Sequence, residues 1–442
     1  MLIDLTIRNW KSYRDEATFS LLSSRERIFG ASLSSVKGFR SLKILPLGSI
    51  YGGNASGKTG LFQALSFIQK YVVAGANVGD SIPVDPFRLY DGISNQNVGF
   101  DITFFSNERI YRLEFEVDGC CVHQERLSIL RDRSDDIVLY DRHGQHFDIA
   151  DTYFEAPDRV RFVCDGTRSN QLFLTNAALQ NIAEVADAFY WFRDVLTMVG
   201  VSSAANLWAA YATRRDFLDF ASNTLAKLDT GIHDVIGEDV DPAMLNLPPF
   251  VLNGWQAQAS SNPDADFAMV VTTEQPGDYT SDMYFVTAQD NKLQAKRIKT
   301  RHRTANGSLV PFTLQMESSG SRRLINLMPM LFTLIGGFKG VDKVYVVDEL
   351  DRCFHSMLTK KLLEEFARTC GPDSRRQLLF TTHDLLLMDQ DVMRRDEMFI
   401  TERDGDGCSR LIRLDEYAGL RADKDLLRSY LDGRFGGVPM FA

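Results

Sequence analysis

The stretch Leu47-Gly-Ser-Ile-Tyr51 running into Gly52-Gly-Asn-Ala-Ser-Gly57-Lys58-Thr59 decides how this chain folds. A strand-like run leads straight into the pattern G-x-x-x-x-G-K-[ST]. Behind it, Leu61, Phe62, Leu65 and Ile68 keep the three-and-four spacing of a buried helix face. Strand, glycine loop and helix in that order make a phosphate cradle. Gly52, Gly53, Asn54, Ala55, Ser56 and Gly57, with Gly60 just beyond, let successive backbone N–H groups curl around an anion. Lys58 supplies a point charge and Thr59 a hydroxyl for Mg2+. The helix starts at the loop, so its positive end faces the same anion.

Far downstream, Val344-Tyr-Val-Val-Asp348-Glu349 reads as a short buried strand ending in two carboxylates. Beside a phosphate cradle, such a pair divides two tasks: Asp348 holds the water shell of Mg2+, and Glu349 faces the attacking water as general base. One strand later comes Leu378-Leu-Phe-Thr-Thr382-His383-Asp384, which puts an imidazole at a strand end, where it could donate to a γ-phosphate. Together with Lys58, Glu349 and His383 are the candidate catalytic residues for ATP hydrolysis. Glu317-Ser-Ser319-Gly320-Ser321-Arg322-Arg323 opens a further helix, where hydroxyls and a glycine form a second anion-gripping helix start. Pro329 within that helix removes a hydrogen bond and predicts a kink.

Residues 98 to 130 alternate as strands, broken at Asp118-Gly119, and predict an antiparallel sheet. The segment Ser20 to Lys37 reads as a polar, hairpin-like excursion. From about Gln171 to Ile236 helical spacing dominates, as in Phe189, Phe192, Leu196 and Val199, with Trp191 and Trp208 as core aromatics rather than a base-stacking platform. Phe354, Leu358, Leu362 and Phe366 predict a helix between the acidic strand and the His383 strand, hence a parallel αβαβ layout. The expected organisation is one nucleotide fold interrupted by an insertion. Residues 1–160 carry the cradle and the β subdomain, residues 161–290 a mainly helical inserted region, and residues 291–442 the second half of the head.

At 442 residues and 44% hydrophobic, the chain can bury one large core or two moderate ones. No run of 18 apolar residues occurs, and the expected location is the cytoplasm, with no membrane partner. The six cysteines lack any C-x-x-C spacing, so neither zinc nor disulfides are indicated and buried thiols are expected. A net charge of -10 argues against coating nucleic acid. Lys292 to Arg303 nevertheless carries six Lys/Arg and no acid. If extended, it sets Arg297, Lys299, Arg301 and Arg303 on one face at about 6.6 Å intervals, near the phosphate repeat of a stretched strand. A charged sheet edge, protected from aggregation, is the alternative.

The order of these motifs resembles the ABC-type head ATPases shared by SMC proteins, recombination-repair heads and the OLD and RloA-type ATPases of bacterial defence. The likeness to the RloA-like group is carried by E-S-S-G-S-R-R-L (Glu317 to Leu324), V-V-D-E-L-D-R-C-F-H (Val346 to His355), L-L-F-T-T-H-D (Leu378 to Asp384) and Y-L-D-G-R-F-G-G-V-P (Tyr430 to Pro439). It covers both ends of the chain well and the middle loosely. The resemblance implies a mixed α/β head with an antiparallel β subdomain, using ATP and Mg2+. It also implies a head-to-tail homodimer or higher oligomer, in which Ser319, Gly320 and Ser321 of one copy close on ATP held by Lys58 of another, and Asp351 couples the two sites. The signature departs from Leu-Ser-Gly-Gly-Gln, with Ser321 in place of the second glycine and Arg322 in place of the glutamine. Gln96 and Arg88 are the candidates for the family's Q-loop. Too few residues follow His383 for an appended nuclease domain, so a separate effector protein from the same operon is expected. A DNA-clamping repair head is the alternative, and a transporter engine is disfavoured by the altered signature and the long insertion.

Overall fold

A computed structural model describes residues 1–89, 96–200, 211, 214–228, 230–245, 247–261, 268–275, 278–289, 292–336, 341–352, 355–417 and 426–433. Trp208, Phe354 and most of the Tyr430 to Pro439 tail lie outside them. The chain forms two compact units. One comprises Met1–Val199, Lys339–Asp351 and Thr359–Ala442; the other comprises Gly200–Phe338 with Arg352–Leu358. The sequence expectation set its divisions at 160/161 and 290/291. The first unit runs on to Val199 because Leu196–Val199 pairs in parallel with the acidic strand, Leu196 opposite Val344.

Among the described residues, the first unit holds two large sheets and a small antiparallel pair, Ser34–Ser35 with Lys43–Ile44. The six-stranded sheet runs in the order Leu196–Val199, Lys343–Val347, Arg376–Thr381, Leu47–Gly52, Met398–Arg403, Ser409–Arg413. Its first five strands are mutually parallel, and the last is antiparallel. Every residue of Leu47–Gly52 and Arg376–Thr381 is buried, as a parallel sheet covered on both faces requires. The phosphate-cradle strand is therefore interior, between the His383 strand and Met398–Arg403.

The seven-stranded antiparallel sheet has the order His146–Ile149, Ile137–His143, Val122–Leu130, Arg109–Val117, Val98–Ser106, Leu2–Arg8, Ala17–Ser20. Helix Lys58–Ala74 packs on it through an aromatic cluster: Phe67 lies 5.3 Å from both Trp10 and Phe100, and Phe100 lies 5.1 Å from Phe115. Buried Glu125 fastens the next helix. Its carboxylate accepts the N–H groups of Phe173 and Leu174 and the Tyr140 hydroxyl, and faces Arg142 at 3.4 Å, so each buried charge has partners.

The second unit contains a mixed-length antiparallel sheet in which Lys292–Arg303 pairs with Ile232–Val240 on one side and with Asp278–Gln289 and Leu309–Thr313 on the other. The basic stretch is thus an interior strand, neither an edge nor a free row of charge. Lys299 pairs with Glu238 at 2.6 Å, Lys296 with Asp239 at 3.3 Å, Arg301 donates through Nε and Nη2 to the two oxygens of Asp234, and Arg303 meets His233 at 2.6 Å. The acids that neutralise it come from a strand some sixty residues upstream, which no local reading pairs with it. Helix Ser319–Ile335 continues through Pro329 and packs Phe332 against Phe217 at 5.2 Å.

Three further expectations change. Leu196 and Val199 are strand, not helix: two apolar residues three apart are too short a run to fix the period, and pairing beside Val344–Val347 selects extended backbone. Ser20 to Lys37 holds only a two-residue strand, Ser34–Ser35, and a short 3-10 turn. Among the cysteines, Cys164 and Cys408 are buried, Cys121 and Cys370 half-buried, and Cys120 is exposed. Trp191 is fully buried and stacks on Phe104 at 4.4 Å, as a core aromatic should. Among the described residues, no helix is long and apolar enough to cross a membrane.

Candidate functional site

Parallel strands converge their following loops at one edge of the sheet, where open α/β folds bind ligands. Here the loops after Leu47–Gly52, Lys343–Val347 and Arg376–Thr381 meet. Asn54 to Gly60, Glu349 and His383 line one cavity of about 310 Å³ together with Lys11 and Ser12.

The cradle depends on two glycines. Gly52 has φ +149°, and a Cβ there would lie 2.4 Å from Thr401 Oγ1. Gly57 has φ +117°, and a Cβ would lie 2.7 Å from Ser409 Oγ. No other residue meets both demands. Ser56 Oγ and Thr401 Oγ1 are 2.6 Å apart, and Thr401 donates to Tyr51 O at 3.1 Å, so the sheet itself holds the loop's shape. Lys58 opens the helix and donates to the carbonyls of Gly52 (2.6 Å) and Gly53 (2.9 Å), which folds its ammonium back along the loop. Burial holds that ammonium below the ordinary lysine range, while Glu349, Asp348 and Asp351 pull the other way.

The acidic pair is organised from the neighbouring strand. Asp348 is buried; its N–H donates to Val199 O at 3.1 Å and its Oδ1 accepts the Thr381 hydroxyl at 2.7 Å. Burial pushes its carboxyl above the usual range, the Thr381 donor pulls it back, and Glu349 pushes it up again. Glu349 sits at φ +51°, a left-handed conformation that costs a non-glycine residue on the order of 1 kcal/mol or more, and its N–H donates to Thr381 Oγ1 at 2.8 Å. That turn swings the Glu349 side chain away from the strand, into the cavity. Its Oε1 lies 4.0 Å from His383 Nε2. The His383 backbone N–H donates at 3.3 Å to both oxygens of Asp351, so Asp351 braces the histidine loop of its own chain.

Thr59 is exposed at the helix start and lines the cavity, whereas Asp348 stands just behind Glu349 and does not. A hydroxyl and a desolvated carboxylate are the hard-oxygen donors that Mg2+ takes, so the residues present fit that ion. Of the signature residues, Ser318 caps its helix by accepting the Ser321 N–H at 3.1 Å and contacts Ser321 Oγ at 3.0 Å, while Arg323 is buried against Gly200 O at 2.9 Å. Ser319, Gly320 and Ser321 belong to the second unit. Gln96 and Arg88 do not line the cavity: the Gln96 carbonyl accepts from Asn9, and Arg88 pairs with Asp85.

Lys11 and Ser12 escaped the sequence reading. They lie on the turn after Leu2–Arg8, where Asn9 and Lys11 both have φ +52°. Trp10 Nε1 donates to Gly60 O at 2.9 Å and Tyr13 Oη to Gly57 O at 3.1 Å, which clamps this turn over the cradle. Forty residues separate the turn from the loop, and the only local sign was an Asn-Trp-Lys-Ser-Tyr run between two alternating strands.

Solved structures similar to the chain include two SMC heads. The SMC head domain from Thermotoga maritima is 13% identical, with 93% of this chain and 98% of that chain covered and a TM-score of 0.37. An SmcHead bound to the C-winged helix domain of ScpA is also 13% identical, with 94% and 99% covered and a TM-score of 0.39. No curated protein matches the chain. A family profile matches residues 49–389, from inside the cradle strand to beyond His383. With the cradle, the acidic strand and the histidine strand all inside that span, the chain has the P-loop ABC-type ATPase fold and belongs to the family described as "AAA domain, putative AbiEii toxin, Type IV TA system".

Proposed function

We propose that this chain binds and hydrolyses ATP in the cytosol and acts as the sensing or gating subunit of a bacterial anti-phage system whose damage is done by a separate effector protein. The observation that carries the ATPase reading is the cavity lined by Lys58, Thr59, Glu349 and His383, in which the cradle loop meets two residues 290 or more positions further along the chain. In this reading the backbone N–H groups of Gly53 to Lys58 bind the phosphates, and Lys58 turns its ammonium from the loop carbonyls toward them. Glu349 takes a proton from the attacking water. His383 donates to the terminal phosphate and orients Glu349 across the 4.0 Å gap. Thr59 and Asp348 would hold Mg2+, which when bound neutralises phosphate charge.

The signature helix supports a head-to-tail dimer: Ser318 fixes its first turn, leaving Ser319 and Gly320 at its positive end to meet the nucleotide of a second copy. The defence reading draws on the family's description as a toxin of a type IV toxin–antitoxin system and on the RloA-like motifs. A DNA-clamping head asked for a free row of charge on Lys292 to Arg303, and the pairs with Glu238, Asp239 and Asp234 leave that alternative without its observation.

Glu349→Gln tests the ATPase reading: turnover should fall by about 10² to 10⁴ with nucleotide binding retained, while Lys58→Ala should lose binding. Unchanged hydrolysis in Glu349→Gln would overturn the assignment. For the defence reading, the native operon should reduce phage plaquing, lose that protection with Glu349→Gln, and yield a second chain on purification. Protection that persists without ATP turnover, or a chain that always purifies alone, would refute it.

A further inference from the structure

The hairpin joining Arg109–Val117 to Val122–Leu130 carries Asp118-Gly-Cys-Cys121-Val-His123 at its turn. Three side chains of different chemistry meet there: Asp118 Oδ2 lies 2.8 Å from His123 Nε2, Cys121 Sγ lies 3.6 Å from that same nitrogen, and all three donor atoms fall within 4.8 Å of one another. A proton relay needs the acid and the thiol on opposite nitrogens of the ring. Here both lie against one nitrogen, so three donor atoms of different chemistry cluster at one corner of the ring. We propose that Asp118, Cys121 and His123 form a zinc-binding site, with a water or an exogenous group as the fourth ligand.

Distances and rigidity agree with this. Donors on a tetrahedral zinc, at about 2.3 Å for sulfur and about 2.0 Å for nitrogen and oxygen, lie roughly 3.5 Å apart for the S–N pair and roughly 3.3 Å for the N–O pair. The sulfur and nitrogen are already at nearly that separation, and the carboxylate needs to withdraw by about half an ångström from a hydrogen-bonded position. Asp118 Oδ1 accepts the N–H groups of Cys120 (2.7 Å) and Cys121 (2.8 Å), which aims the other oxygen at the histidine, as outer-sphere bonds do around metal ligands. The turn is also tied to the body of the unit. Gly119 O accepts the Ile82 N–H at 3.0 Å and Ser169 O accepts the Val122 N–H at 2.8 Å, so the three ligands are held before any ion arrives. All three are half-buried, leaving one side open to entry. A thiolate, an imidazole and a carboxylate together select zinc over magnesium or calcium, which separates this site from the hard-oxygen pair at the cradle. The absence of C-x-x-C spacing hid it, because a three-donor site on one turn uses a single cysteine.

The test titrates the reduced, chelator-stripped full chain with Co2+ in excess Mg2+, reading thiolate-to-cobalt charge-transfer absorption, and then displaces the cobalt with Zn2+. One equivalent should develop the band. Cys121→Ser should abolish it, and His123→Gln should weaken zinc binding by more than about 100-fold. Asp118→Asn keeps an acceptor for the two turn N–H groups, so the hairpin persists while affinity falls at least about 10-fold. Cys120→Ser should change nothing. No band in the wild-type chain, a band that survives Cys121→Ser, or one lost in Cys120→Ser instead would each overturn the site.

Discussion

The hydroxyl of Thr381 donates to Asp348 Oδ1 at 2.7 Å, and Thr381 Oγ1 in turn accepts the backbone N–H of Glu349 at 2.8 Å. One side chain on the histidine strand therefore sets both acids on the neighbouring strand: it orients the Asp348 carboxylate and pins the left-handed turn that aims Glu349. Thr381→Val keeps the shape and removes both bonds. Stability should fall by about 1–3 kcal/mol, the usual result of leaving buried polar groups unpaired. Turnover should fall about 10-fold with little change in nucleotide affinity, since Lys58 is untouched. Denaturant melts and steady-state kinetics on the same preparation check this; wild-type turnover would show that the bond is dispensable.

Asp348 itself is a liability until a cation arrives. Its carboxyl is raised above 3.8, first by burial, so the folded state holds the proton more tightly than the unfolded chain does. Stability from this group is full below about pH 3.8 and is lost as pH rises through the folded value. Asp348→Asn should therefore melt later than wild type at neutral pH without nucleotide, with the gain shrinking as pH falls toward 3.8, while Mg2+-dependent turnover disappears. A wild-type chain that outlasts the Asn variant at neutral pH would contradict this.

Glu397 gives a second pH signature, away from the cavity. Burial raises its carboxyl from 4.5 to about 8, although the Arg394 N–H, which it accepts at 2.9 Å, pulls it down. Because the folded pKa is the higher one, stability should decline between about pH 4.5 and pH 8 and level off above. Glu397→Gln should flatten that decline, as read from urea midpoints across the range; an unchanged slope would place the protonation elsewhere.

The signature helix makes an assembly prediction. With Glu349→Gln to slow turnover, ATP and Mg2+ should shift the native mass from one chain to two, and Ser319→Arg in that background should keep it at one. An ATP-independent mass, or a dimer that tolerates Ser319→Arg, would remove the head-to-tail arrangement.

The nucleotide site was legible to the extent that its parts are contiguous in sequence. Gly52 to Thr59, Asp348-Glu349 and His383 each carry a local pattern whose chemistry follows from residue type and spacing, and the αβαβ alternation around them follows from burial period. Lys11 and Ser12 carry no such pattern, since only the bonds from Trp10 and Tyr13 to the cradle helix bring them to the cavity. Lys292 to Arg303 shows the reverse failure: its charge was plain in the sequence, but its partners Asp234, Glu238 and Asp239 are set opposite by antiparallel register.

By itself, then, the sequence determined the glycine loop, the Asp348-Glu349 pair at its strand end and the parallel sheet that presents them, because glycine conformation, helix start and hydrophobic period are properties of neighbours along the chain. Only the tertiary structure decided which distant groups share a cavity, which charges are cancelled, and that three donors of one hairpin turn come within 4.8 Å of one another. Those outcomes depend on strand register and on turns clamped by bonds across tens or hundreds of residues, and local composition contains neither.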